Sequence, residues 1–160
     1  MNKDDLISIF RSLGADEPES WAESEVGENI PQLARFMFLK GAWQQVVSED
    51  DTTWIDNILR NVPANSSDPY AGAAHSIRRM VDAGTTKSDI AQLVRAMQAE
   101  FLFALCYMMD DPSSVEGNDD YVDWSFMELD ADGNACRTIN CLHESVLETD
   151  PTGREVRPKP

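Results

Sequence analysis

The chain is poor in the residues that chemistry most often uses. It has two histidines, His75 and His143, and three cysteines, Cys106, Cys136 and Cys141, at spacings that form no disulfide framework. Reduced thiols in a cytoplasmic setting are therefore expected. No glycine-rich phosphate loop and no nucleophile elbow is present, which removes the usual sequence basis for nucleotide binding and for serine or cysteine catalysis. Base is scarce as well: 13 Lys and Arg stand against 29 Asp and Glu, for a net charge of −16. Phosphate backbones and anionic lipid surfaces both demand cations, so nucleic acids and membrane surfaces are excluded as partners. No run approaches the roughly 18 consecutive apolar residues of a membrane span. The opening MNKDDLISIFRSLG lacks the basic start and long apolar stretch of a secretory signal.

What the chain does have is helical periodicity. At 160 residues it is long enough to bury a core without staples. Four Trp, six Phe and seven Met supply large side chains for that core. Leu6, Ile9, Phe10 and Leu13 mark a first amphipathic helix, ended by Gly14. Pro18 and Pro31 each open another at a position where the missing N–H costs nothing. On the second of these, Phe36, Leu39, Trp43 and Val46 form one face. Trp54, Ile55, Ile58 and Leu59 make a shorter helix stopped by Pro63. From about Pro69 a further helix carries Ala73, Ile77, Met80 and Val81, with Gly84 as its C-terminal cap. The longest segment, 86–110, has Ile90, Leu93, Val94, Met97, Phe101, Ala104, Leu105 and Met108 at helical spacing. From Phe101 to Met109 it is apolar on every side, which predicts an enclosed second half.

The expected fold is thus mainly α: a single-domain bundle of five or six helices over residues 1–150, arranged around a central buried helix, 86–110. A small C-terminal hairpin at about 124–139 follows, then a short helix over 142–148 and an extended tail over 151–160.

Two metal motifs begin and fail. Glu128, Asp130, Asp132 and Gly133 imitate the start of an EF-hand loop, but the position that needs a bidentate Glu falls on Ile139. His143–Glu144 is half of H-E-x-x-H, with Leu147 where the second His belongs. Cys136, Cys141 and His143 match no standard zinc spacing. No cofactor and no metal are called for. Glu100 is the lone charge between Arg95 and Asp110, and beside Met97, Phe101 and Ala104 it is expected to be buried and paired with Arg35, His75, Arg78 or Arg79.

The remaining signal is the charge distribution. Residues 110–133 hold nine acids and no base. Such a segment is either a solvated, self-repelling loop or a surface that meets a basic protein. In the second case Asp110, Asp111, Glu116, Asp119, Asp120 and Asp123 steer the partner while Tyr121 and Trp124 anchor it. In size, acidity and helical content the chain resembles immunity proteins and other inhibitors of basic toxins, although no residue motif places it in a named family. The reading that follows is a non-enzymatic, acidic protein-binding module. Its competitors are an enzyme or metal-dependent hydrolase using carboxylates near 110–132 and a subunit of a homo-oligomer whose wide apolar helix faces are covered by other copies.

Overall fold

The helices begin and end where local chemistry dictates. In the computed structural model, which describes residues 1–118 and 122–159, α1 spans Lys3–Leu13, α2 Pro18–Gly27, α3 Gln32–Trp43, α4 Thr53–Asn61, α5 Ala71–Asp82 and α6 Lys87–Asp110. The Asn2 side chain accepts from the Asp5 N–H at 2.9 Å to cap α1, and Pro18 occupies the first turn of α2. Gly84, at φ +91°, takes the left-handed turn after α5 that a side chain would oppose. Thr86 caps α6: its Oγ1 accepts from the Asp89 N–H at 3.1 Å while its O–H donates to Asp89 Oδ2 at 2.6 Å. The chain is mainly helical, as its periodicity predicts.

Two strands, β1 (Phe126–Leu129) and β2 (Ala135–Ile139), form an antiparallel hairpin with Phe126 opposite Ile139 and an irregularity at Glu128/Leu129. The acids that imitate a calcium loop build its turn instead. Asp130 accepts from the backbone N–H groups of Asp132 and Asn134, both at 2.9 Å, and Gly133 adopts φ +84°. These bonds hold the Asp130 carboxyl below its ordinary range, the Asn134 backbone N–H foremost. Glu128 pairs with Arg137 at 2.5 Å, and that hydrogen bond likewise lowers its pKa.

Contacts divide the chain into two compact units, one of residues 1–45 with those from 99 onward, the other Val46–Gln98. In the first, Leu6, Phe10, Trp21, Ala22 and Phe36 form a core, with Phe10, Trp21 and Phe36 in mutual ring contact at 5.3–5.9 Å between centroids. The C-terminal segment is stitched into the same unit. Trp43 Nε1 donates to the Val146 carbonyl at 2.9 Å, the Arg35 guanidinium to the Cys141 carbonyl, and Arg137 bridges to Glu25 at 2.6 Å. In the second unit Ile55, Ile77 and Ile90 are the buried centre, and Arg78 closes the end of α4 by donating to the Leu59 and Val62 carbonyls.

Four expectations are corrected. The second half of α6 is a helix but is not enclosed: Phe101, Phe103, Tyr107 and Met108 are exposed, and the buried line is Ala91, Arg95, Ala99, Leu102 and Cys106. Glu100 is exposed rather than buried. The buried charge on this helix is Arg95, whose guanidinium donates to the Val47 carbonyl at 3.0 Å. Over 142–148 only His143–Ser145 is helical, as a 3-10 turn. Residues 151–156 are also turns rather than extended chain, because buried Asp150 accepts from Thr152 and from the Val156 N–H at 2.9 Å.

Candidate interaction surface

The acidic segment begins at the last residue of α6, and its first acid turns inward. The Asp110 side chain is only 6% exposed. Its Oδ2 accepts from the His143 backbone N–H at 3.0 Å and lies 2.6 Å from His143 Nδ1, an acceptor that places the ring proton on that nitrogen. Phe103 and Tyr107, one turn apart on α6, present to the imidazole in edge-on contact at 5.7 and 5.0 Å. Asp110 is therefore a fastening for the 141–150 segment and is withdrawn from the recognition surface to which its position in the sequence assigns it. Neither the Asp110–His143 pair nor its aromatic flanks carry a sequence signal, since 33 residues separate the partners.

Asp111 is half committed, accepting from the Ser113 N–H at 3.0 Å to start a 3-10 turn over Pro112–Ser114. Glu116 and Asp123 are exposed. Asp119, Asp120 and Tyr121, which the sequence assigns to this surface, lie outside the described residues. Trp124 folds back onto α6, its Nε1 donating to the Met108 carbonyl at 3.0 Å. Asn118 bridges the loop by donating to the carbonyls of Pro112 and Val122, both at 2.9 Å. The segment thus ends against the helix that it leaves. It brings Trp124 beside Met108 on a stretch of α6 where Phe101 is 68% exposed.

A second acidic feature has no counterpart in the sequence reading. A cleft of about 460 Å³ is lined by Trp21, Glu28, Gln32, Arg35, Glu144 and Glu148, together with three serines. Gln32 and Arg35 are 8% and 7% exposed. The Gln32 amide donates to Ser24 Oγ at 2.9 Å, and Ser24 in turn donates to Glu28 at 3.1 Å. That chain uses the nitrogen of Gln32 and leaves its Oε1 without a partner; Arg35 Nε is also buried and unpartnered. A neighbouring cavity of about 320 Å³ shares Trp21 and Glu148 and adds Asp16, Glu17 and Glu155 to its walls.

The three thiols are free. Cys106 is buried, and burial, helped by the Asp110 charge, pushes its pKa up to about 11; Cys141 is raised by the same cause. Neither is an activated nucleophile. Among the described residues, no three of His, Cys, Asp and Glu come together in a way that could hold a metal ion, and no helix is long and apolar enough to cross a membrane. No protein-family model, curated protein or solved structure matches the chain.

Proposed function

We propose that the chain is a non-enzymatic module that binds a basic protein, and that the end of α6 with the segment leaving it forms the binding surface. The supporting observation is an exposed apolar group, Phe101, Tyr107, Met108 and Trp124, at the start of a segment with nine acids and no base. Water-facing aromatics of this size are unfavourable unless a partner covers them. The adjoining carboxylates of Asp111, Glu116 and Asp123 repel a second copy of this acidic chain and attract a cationic protein. The division of labour is the usual one for such surfaces, with charge raising the association rate and aromatics lengthening the bound state. An inhibitor of a basic enzyme would have this character.

The test uses the protein encoded beside this one, where it is basic, in an interferometry titration across salt concentrations. A stoichiometric complex is expected that weakens as salt rises. Paired Asp111→Asn and Asp123→Asn changes should slow association, whereas Phe101→Ser should speed dissociation. Salt-independent binding, or a complex indifferent to Phe101→Ser, would overturn the proposal. So would sedimentation showing that a second copy of the chain already covers α6.

A further inference from the structure

We infer that His143 is the polar contact of the α6 surface, its outward nitrogen accepting an N–H from a lysine or arginine of the basic partner, so that protonation of the ring releases the complex. The inference rests on the protein-binding reading above and adds a recognition residue and a pH control to it. What carries it is the way the imidazole is held. Nδ1 lies 2.6 Å from Asp110 Oδ2, and the His143 backbone N–H reaches the same oxygen at 3.0 Å. An ionised carboxylate only accepts, so Nδ1 carries the proton and the neutral ring keeps its lone pair on Nε2. Nε2 makes no hydrogen bond, yet it is not among the buried unpartnered atoms, and the side chain is 23% exposed. It is open to a partner. Tyr107, one of the exposed aromatics of the surface, touches the ring edge-on, and exposed Phe103 does the same.

Lysine and arginine side chains bring donors and no acceptor. The neutral ring can take one of those donors. A doubly protonated ring presents an N–H and a positive charge instead, and both oppose a cation. The second proton leaves the inward bonds in place, because Nδ1 and the backbone N–H donate to Asp110 in either state. The change is therefore read at the surface while the fold is kept. The titratable and charged groups about the ring are Asp110 and Tyr107 of α6, Cys141 and Glu144 of its own segment, and Arg35 of α3, which donates to the Cys141 carbonyl. Among side chains of these kinds, histidine is the one that ordinarily changes charge between about pH 5 and 8.

Long-range proton–nitrogen NMR of the intact, isotope-labelled chain reads the ring directly. At about pH 8 His143 should be the Nδ1–H tautomer with Nε2 unprotonated. The complex with the basic protein encoded beside this one should weaken as pH falls from about 8 to about 5. Its dissociation constant should rise by up to about tenfold per pH unit, the slope of a single proton. His143→Asn keeps an inward N–H for Asp110 and removes the outward nitrogen. It should weaken the complex about tenfold at the upper pH, the loss of one charge-assisted hydrogen bond, and flatten the slope. Diethyl pyrocarbonate, which acylates an accessible unprotonated imidazole, should modify His143 in the free wild-type chain and spare it in the complex. An Nε2–H tautomer or a doubly protonated ring at about pH 8, equal slopes for wild type and His143→Asn, or equal modification of His143 with and without the partner would each overturn the inference. If a salt-sensitive complex forms and ignores His143→Asn, this inference falls and the partner reading stands. If the ring has the stated tautomer and no basic protein binds, the partner reading fails and takes the inference with it.

Discussion

At the scale of single residues, the chain's scarce reactive groups are used to hold structure. His143 is locked between Asp110 and two aromatic rings, and Cys106 is fully buried on the packed line of α6. Cys106 gives a prediction with a definite sign. Its thiol ionises near 9.0 in the unfolded chain and near 11 when folded, because the thiolate would sit in an apolar setting next to the Asp110 charge. The folded state therefore prefers the neutral form, and this contribution is complete below pH 9. It declines as pH rises from about 9 towards 11, where the unfolded chain has lost its proton and the folded chain has not. Denaturation measured across that interval should show a steeper loss of stability for the wild type than for Cys106→Ala. In the folded protein at neutral pH, iodoacetamide should label exposed Cys136 and spare Cys106. Labelling of Cys106 at a comparable rate would contradict its placement.

At the scale of elements, the sequence makes the helices readable and leaves the rotation of α6 unreadable. Caps and breakers act within a few residues, so Gly14, Pro18 and Gly84 could be assigned without knowing what lay nearby. The hairpin was legible for the same reason, since its turn chemistry lies between the strands that it joins. Which face of α6 is buried depends on its neighbours. Bulk and hydrophobicity favour the line through Leu93, Met97, Phe101 and Met108, yet the buried line runs through Ala91, Arg95, Ala99, Leu102 and Cys106. Glu100 was misplaced along with that face. The cleft was invisible because Glu28 and Gln32 meet Glu144 and Glu148 from the far end of the chain, and none of them has a motif. Adjacent residues on α6 test the rotation directly. Leu102→Ala should destabilise the protein by about 2–5 kcal/mol, as for a buried leucine. Phe101→Ser should change stability by no more than about 0.5 kcal/mol, as at a surface position. Chemical denaturation of the two variants decides the matter, and the reverse order would mean that the helix is turned the other way.

At the scale of the whole molecule, the dominant fact is a net charge of −16. Several ion pairs among the described residues are exposed, such as Arg11–Glu19 and Lys87–Asp56, and pairs of that kind contribute little. The unpaired acids repel one another instead, and folding concentrates them. Salt therefore acts on this protein in two opposite ways. Screening relieves repulsion within the chain, so the thermal midpoint should rise between low and physiological ionic strength, by a few degrees if the relief is about 1 kcal/mol. Screening also weakens attraction to a basic partner, so the dissociation constant should rise over the same interval. A helical protein held together by ion pairs would show the first effect reversed, and one that bound through apolar contact alone would lack the second. Calorimetry of the free chain and interferometry of the complex, in matched buffers, measure the two slopes. A midpoint and a dissociation constant that both rise with salt are the outcome expected of a chain whose acidity serves recognition at some cost to its own stability. A midpoint that falls with salt would show that the carboxylates are satisfied within the fold, leaving little of their charge for a partner.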